Sequence, residues 1–172
     1  MSANHLFPIP EGMQRVEKIR KHPKFQQAIE AVGELEKERI FCCHGMDHLL
    51  DVARLAYIEN LEQELGYRKD QVYAAGLLHD VGKYLQYRDG IEHHIASEQL
   101  AREILQDCGY RDEEIDEISS AILGHRDVKR SEENKLGKIL YKADKISRCC
   151  YMCKAAEECN WNKEKRTAGV IS

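Results

Sequence analysis

Only three prolines occur in 172 residues, at positions 8, 10 and 23. Nothing therefore interrupts helices after residue 23, since proline removes a backbone donor and clashes with the preceding turn. The alternating apolar and polar pattern of a half-buried strand is missing, as are internal repeats and low-complexity tracts. No run of 18 apolar residues occurs, so no membrane-spanning helix and no membrane partner is expected. Met1 to Pro10 lacks the charged region and apolar stretch of a secretory signal. A basic excess is absent too: 26 Lys and Arg stand against 30 Asp and Glu, a net charge of −4. Tight unspecific binding to a nucleic-acid backbone needs the opposite balance, so a nucleic-acid partner is not expected.

What is present is ordinary for a globular chain: 42% hydrophobic and 33% charged residues, at a length that suits one domain. Seven cysteines are a poor fit to a closed disulfide set, and without a secretory signal a reducing, cytoplasmic setting is expected. Apolar periodicity predicts an all-α bundle of six to seven helices. They run from Glu11 to about Lys21, from His22 or Pro23 to about Arg39, from His44 to Leu65 and from Gln71 to Tyr87. Three more follow, from His93 to Cys108, from Asp112 to about Gly124, and a last one capped by Ser131. Asp70 is the expected cap of the Gln71–Tyr87 helix, and Gly66 and Gly109 are expected stops.

Four polar features fall inside this apolar pattern. His44 and His48 are spaced to share one helix face. His79-Asp80 sits within Ala74-Ala-Gly-Leu-Leu-His-Asp-Val-Gly-Lys83, His125 follows Ile122 and Leu123, and Asp144 lies within Ile139-Leu-Tyr-Lys-Ala-Asp-Lys-Ile146. Helical periodicity aims Asp80 and Asp144 at the core, and a buried carboxylate is costly unless paired or bound to a cation. One shared metal would compensate both. Imidazoles with carboxylates suit manganese, iron, cobalt, nickel or zinc.

The ordered set His44, His79-Asp80 and Asp144 resembles the HD-domain superfamily of metal-dependent phosphohydrolases. Leu77-Leu-His-Asp-Val-Gly-Lys83 and Lys142-Ala-Asp-Lys-Ile-Ser-Arg148 look like that family's core and closing motifs. The resemblance covers roughly residues 40 to 150. The expected organisation is one HD-type domain with N-terminal helices before it and a cysteine-rich tail over residues 149 to 172. The resemblance implies a helical fold and hydrolysis of a phosphate ester or anhydride, with His44, His79, Asp80 and Asp144 as ligands. His93 and His125 match the extra histidines of binuclear members, in which the central aspartate, here Asp80, bridges two ions; His94 is the alternative to His93. His48 has no clear counterpart and is expected outside the ligand shell. A small phosphorylated partner, a nucleotide or a dinucleoside polyphosphate, is expected, with a regulatory metal- and nucleotide-binding module as the alternative. Lys83 and Arg148, each four residues past a ligand, are the candidate phosphate-neutralising groups beside Asp80.

The tail supplies one more pattern. Cys150, Cys153 and Cys159 form a C-x2-C-x5-C spacing, and Cys42 and Cys43, either of which could supply a fourth thiolate, immediately precede His44. If His44 and Asp144 meet, these thiols come close, which makes a cysteine-bound zinc or iron–sulfur cluster a candidate second inorganic group. Packing of the thiols as small hydrophobes is the competing reading.

Overall fold

The computed structural model describes residues 7–132 and 134–170. Among them the chain is helical and carries no strand: α1 Gln14–Lys21, α2 Pro23–Leu35, α3 Met46–Glu62, α4 Lys69–Leu78, α5 Lys83–Asp89, α6 His93–Asp107, α7 Asp112–Gly124, the single turn α8 Val128–Ser131, and α9 Lys135–Ile146. Helices α3, α4, α7 and α9 pack about one core. Leu49, Leu77, Leu78, Ile118, Ile122, Ile139 and Leu140 are fully buried there. Each such side chain contributes about 1.5–3 kcal/mol of transfer free energy. Close approach of α3 and α4 requires Gly76, because a Cβ there would lie 2.5 Å from the backbone of Ala53.

The expected helix Gln71–Tyr87 is in fact two helices. It stops at Leu78, and residues 79–82 form tight turns closed by Val81 N to Leu78 O and Lys83 N to Asp80 O. Gly82 explains the break. Its backbone lies against α6, where a Cβ would come within 2.4 Å of Ser97 N, and its own N–H donates to Ser97 Oγ. The break places His79 and Asp80 at a helix end that faces the bundle interior.

Two expected caps also differ. Asp70 lies inside α4 rather than capping it; Arg68 is the cap residue, and its N–H donates to the Gln71 side chain. Asp70 is buried and accepts from Arg15 and Arg68, which also bind the buried carboxylate of Glu114. This cluster ties α1 to α4 and α7. Ser131 ends α8, while Asn134 caps α9 through Gly137 N–H. Helix α3 begins at Met46 with Gly45 as its cap, so His44 lies before the helix and does not share a face with His48.

After α9 the chain loses regular structure. Residues 150–167 hold only the 3-10 turns Cys150–Met152 and Lys163–Lys165, yet they fold back over α9's C-terminal end. Arg166 donates to the carbonyls of Ala156, Cys159 and Trp161, and Thr167 Oγ1 accepts from Cys150 N–H and donates to Arg148 O.

Candidate metal centre

The break at residues 79–82, the start of α3, the start of α6, the end of α7 and the last turn of α9 converge. Ligand atoms of His48, His79, Asp80 and Asp144 all lie within 4.8 Å of one another, and so do those of Asp80, His93 and His125. Asp80 belongs to both groups. Its Oδ2 lies 3.3 Å from His79 Nε2 and 3.6 Å from His48 Nε2; its Oδ1 lies 3.2 Å from His93 Nε2 and 3.6 Å from His125 Nε2. Asp144 Oδ1 faces His48 Nε2 at 3.4 Å and His79 Nε2 at 3.7 Å. All six residues are buried.

The outer nitrogens explain how the rings are aimed. His79 Nδ1 meets Gly76 O at 2.7 Å, His125 Nδ1 meets Ile122 O at 2.6 Å, and His93 Nδ1 meets Gln86 Oε1 at 2.6 Å. His48 Nδ1 lies 3.4 Å from Ser147 Oγ. Each acceptor takes the Nδ1 proton and turns Nε2 inward, the arrangement that fixes metal-binding imidazoles. His79 Nε2 and Asp80 Oδ1 are buried without a hydrogen-bond partner. Buried polar atoms seldom stay unsatisfied, and each of these two belongs to one of the converging groups. The donor set therefore fits a divalent metal ion, and the double group fits two.

A sequence model of the HD domain matches residues 45–149. The chain belongs to the HD domain family. It is 48% identical over 133 residues to an uncharacterized protein of Clostridium beijerinckii, spanning 77% of this chain and 83% of that one. It is also 28% identical over 136 residues to Ribonuclease Y of Mesoplasma florum, spanning 79% of this chain but only 25% of that enzyme. A crystal structure of a predicted HD superfamily hydrolase from an uncultured Thermotogales bacterium has the same fold, with a TM-score of 0.61, 20% identity, and coverage of 88% of this chain and 86% of that one.

The family match begins after His44, and it is His48 whose ring joins His79, Asp80 and Asp144. His44, expected as a ligand, stands apart from both groups. Its ring centroid is 5.7 Å from that of His48, its backbone N–H donates to Glu36 Oε2 at 2.6 Å, and its Nδ1 is engaged by Glu36 Oε1. Tyr87 O–H donates to the same carboxylate at 2.6 Å. Burial disfavours the charged form of Glu36, but these donors outweigh it and hold the carboxyl at about 2. His93 is the member that joins Asp80 and His125; the neighbouring His94 instead faces Glu92 at 3.4 Å.

Burial opposes charge on His79, yet the adjacent Asp80 and the bond to Asp144 push its pKa up to about 10. Asp80 and Asp144 are both held well below the ordinary carboxylate range, against the opposing effect of burial; His79 is the leading charge partner of Asp80, and the imidazoles of His48 and His79 are the leading partners of Asp144. His93, desolvated and beside Lys83, is pushed down to about 2. A proton on His79 thus serves the two carboxylates as a cation would, and a metal ion would displace it.

Above the centre opens a cleft of about 340 Å³. Lys83 and Arg148, both expected there, line it. Lys83 Nζ is 3.4 Å from His93 Nδ1, and burial lowers its pKa. Arg148 is buried, donates to His48 Nε2 at 3.1 Å and to Cys43 O at 3.0 Å, and lies 3.9 Å from Asp144. The cleft also holds Arg39, Arg126, Lys145 and Lys165, with Tyr141 and Trp161 as its aromatic walls. Sequence reasoning missed these. Lys145 and Tyr141 carried a local signal, as α9 residues beside Asp144; the others come from loops whose approach no periodicity encodes.

Proposed function

We propose that this HD domain is a metal-dependent phosphohydrolase that acts on a small phosphorylated metabolite, a nucleotide or dinucleoside polyphosphate. One observation carries the reading: two overlapping groups of inward lone pairs share Asp80 beneath a cleft rimmed by six cationic side chains, in a chain whose net charge is −4. His48, His79, Asp80 and Asp144 would hold one ion, and Asp80, His93 and His125 a second. An ion bound there supplies Lewis acidity, acidifying water and polarising a phosphoryl oxygen.

The chain's own groups account for binding and orientation. Lys83 reaches the cleft beside His93, where its ammonium meets a phosphoryl oxygen. Arg148 presents a planar fork suited to two phosphate oxygens, and its Nε is buried without a partner. Tyr141 and Trp161 offer ring faces to a base, with Lys145 lying over both rings at 5.2 and 5.6 Å. His44, held by Glu36, lines the cleft as a proton-carrying or phosphate-contacting group.

The relatives named Ribonuclease Y favour a second reading, hydrolysis of RNA, although the match spans a quarter of the Mesoplasma florum enzyme. The experiment is a panel of nucleotides, dinucleoside polyphosphates and short RNAs with manganese, iron or cobalt. Metal-dependent hydrolysis of the small compounds, abolished in Asp80→Asn, is the expected result. Hydrolysis of RNA alone would replace the substrate class, and full activity of metal-free Asp80→Asn would end the mechanism.

A further inference from the structure

Beside the cleft lies a second, smaller cavity of about 80 Å³, enough for an inorganic group and too small for a nucleotide. Cys42, Cys150, Cys153 and Cys159 all line it, with Arg39, Arg148 and Arg166. The four thiols come from two distant segments. Cys42 is pinned by Arg39 Nε to its carbonyl, Cys159 by Arg166 to its carbonyl, Cys150 by its N–H to Thr167 Oγ1, and Cys153 by its N–H to Cys150 O. Burial raises the Cys42 pKa, Arg148 lowers it, and the charges of Cys150, Cys153 and Cys159 each raise it, so the three tail sulfurs lie within electrostatic reach of Cys42. The two remaining surface thiols, Cys43 and Cys149, are exposed, and Cys108 is buried in the hydrophobic core.

We propose that Cys42, Cys150, Cys153 and Cys159 hold a four-iron iron–sulfur cluster that anchors the C-terminal loop against the catalytic cleft. Three observations carry this beyond the C-x2-C spacing. First, residues 150–167 bury only Ala155 and Thr167, too little apolar surface to fix so irregular a segment. An inorganic core supplies what the side chains do not. Second, the sulfurs are spread. Among the described residues no three of them come within 4.8 Å of one another. A tetrahedral zinc would gather four sulfurs to about 3.8 Å apart, given zinc–sulfur bonds of about 2.3 Å. A four-iron cube with one thiolate per iron holds them about 6 Å apart. Third, four thiolates on a cluster leave a net negative charge, and three guanidinium groups face it.

The site also touches the cleft. Trp161, Asn160, His44, Arg39 and Arg148 line both cavities, so a cluster would fix one wall of the substrate pocket. Its existence does not depend on the hydrolytic reading, and its test uses no activity.

The test is iron, sulfide and zinc analysis of the full chain purified without oxygen, before and after reconstitution with ferrous iron and sulfide. About four irons and four sulfides per chain, with broad visible absorption bleached by dithionite, are expected. Cys42→Ser, Cys153→Ser and Cys159→Ser should each lower bound iron at least fivefold, whereas Cys43→Ser and Cys108→Ser should retain it. Trp161 is the chain's single tryptophan and lines the cavity, so its emission should be quenched in the loaded protein and recover in Cys153→Ser. One zinc per chain with no iron would overturn the proposal. So would a wild-type chain that fails to take up iron, or uptake indifferent to Cys42 and Cys159.

Discussion

Replacing His48 and His44 one at a time tests which histidine belongs to the metal group. His48 Nε2 lies 3.4 Å from Asp144 and 3.6 Å from Asp80, whereas the His44 ring is held by Glu36. A ligand at 100 times its dissociation constant stabilises the folded state by about 2.7 kcal/mol. Each kcal/mol moves the melting temperature of a chain this long by about 2–4 °C, so manganese at that level should raise it by about 5–11 °C. Losing an outer partner of a ligand weakens metal binding about 10–100-fold, and losing the ligand itself should cost at least the upper figure. At unchanged manganese His48→Ala then keeps only about 0.4 kcal/mol of that stabilisation, a shift of about 1–2 °C. His44→Ala should behave in the opposite way. Buried Glu36 loses one charge-assisted hydrogen bond, worth about 1.5–3 kcal/mol, so the metal-free melting temperature falls while the metal-induced shift survives. Thermal melting with and without manganese reads both effects, and titration calorimetry gives the dissociation constants. A metal-induced shift lost in His44→Ala and kept in His48→Ala would refute the assignment.

Arg15→Met should destabilise by about 3 kcal/mol without changing metal content, because it leaves the buried Asp70 and Glu114 with only exposed cations, Arg68 for both and Arg111 for Glu114; urea unfolding and metal analysis check it. The same cluster sets an acid limit. The bond from Arg15 holds Glu114 at about 2, so its contribution is complete above its ordinary pKa of 4.5 and is lost as pH falls from there towards 2. Unfolding followed against pH should show that loss in the parent chain, and a much smaller one in Arg15→Met. Gly82→Ala should destabilise by about 1–3 kcal/mol, because its Cβ would meet the backbone of Ser97 and Ala96, and it should weaken metal binding by moving Asp80; urea unfolding and calorimetry separate the two.

The helical class and most of the metal group are legible in the chain because both are local. Apolar periodicity marks the buried faces of α3, α4, α7 and α9, and His79, Asp80 and Asp144 stand out as polar residues at positions that periodicity buries. The broken helix is less legible, since Gly82 is an ordinary residue until α6 lies against it. The choice between His44 and His48 also turned on a non-local fact. Both fit a four-residue helical spacing, and only the Gly45 cap with the Glu36 carboxylate, eight residues earlier, removes His44 from the helix face.

Glu36 illustrates a wider point about buried carboxylates in this chain. Glu36, Asp70, Glu114, Asp80 and Asp144 are all at most 6% exposed. The first three are fully compensated within the protein: Glu36 by His44 and Tyr87, Asp70 and Glu114 by Arg15 and Arg68. Asp80 and Asp144 have chiefly imidazoles, which are weak cations at neutral pH unless, as with His79, the carboxylates themselves raise the pKa. Lys145 reaches Asp144, but among the described residues no lysine or arginine is paired with Asp80, and its Oδ1 lacks any hydrogen bond. A fold that elsewhere gives each buried acid its own donors leaves one acid among four imidazoles, and that difference distinguishes a site able to hold a metal from a structural ion-pair network.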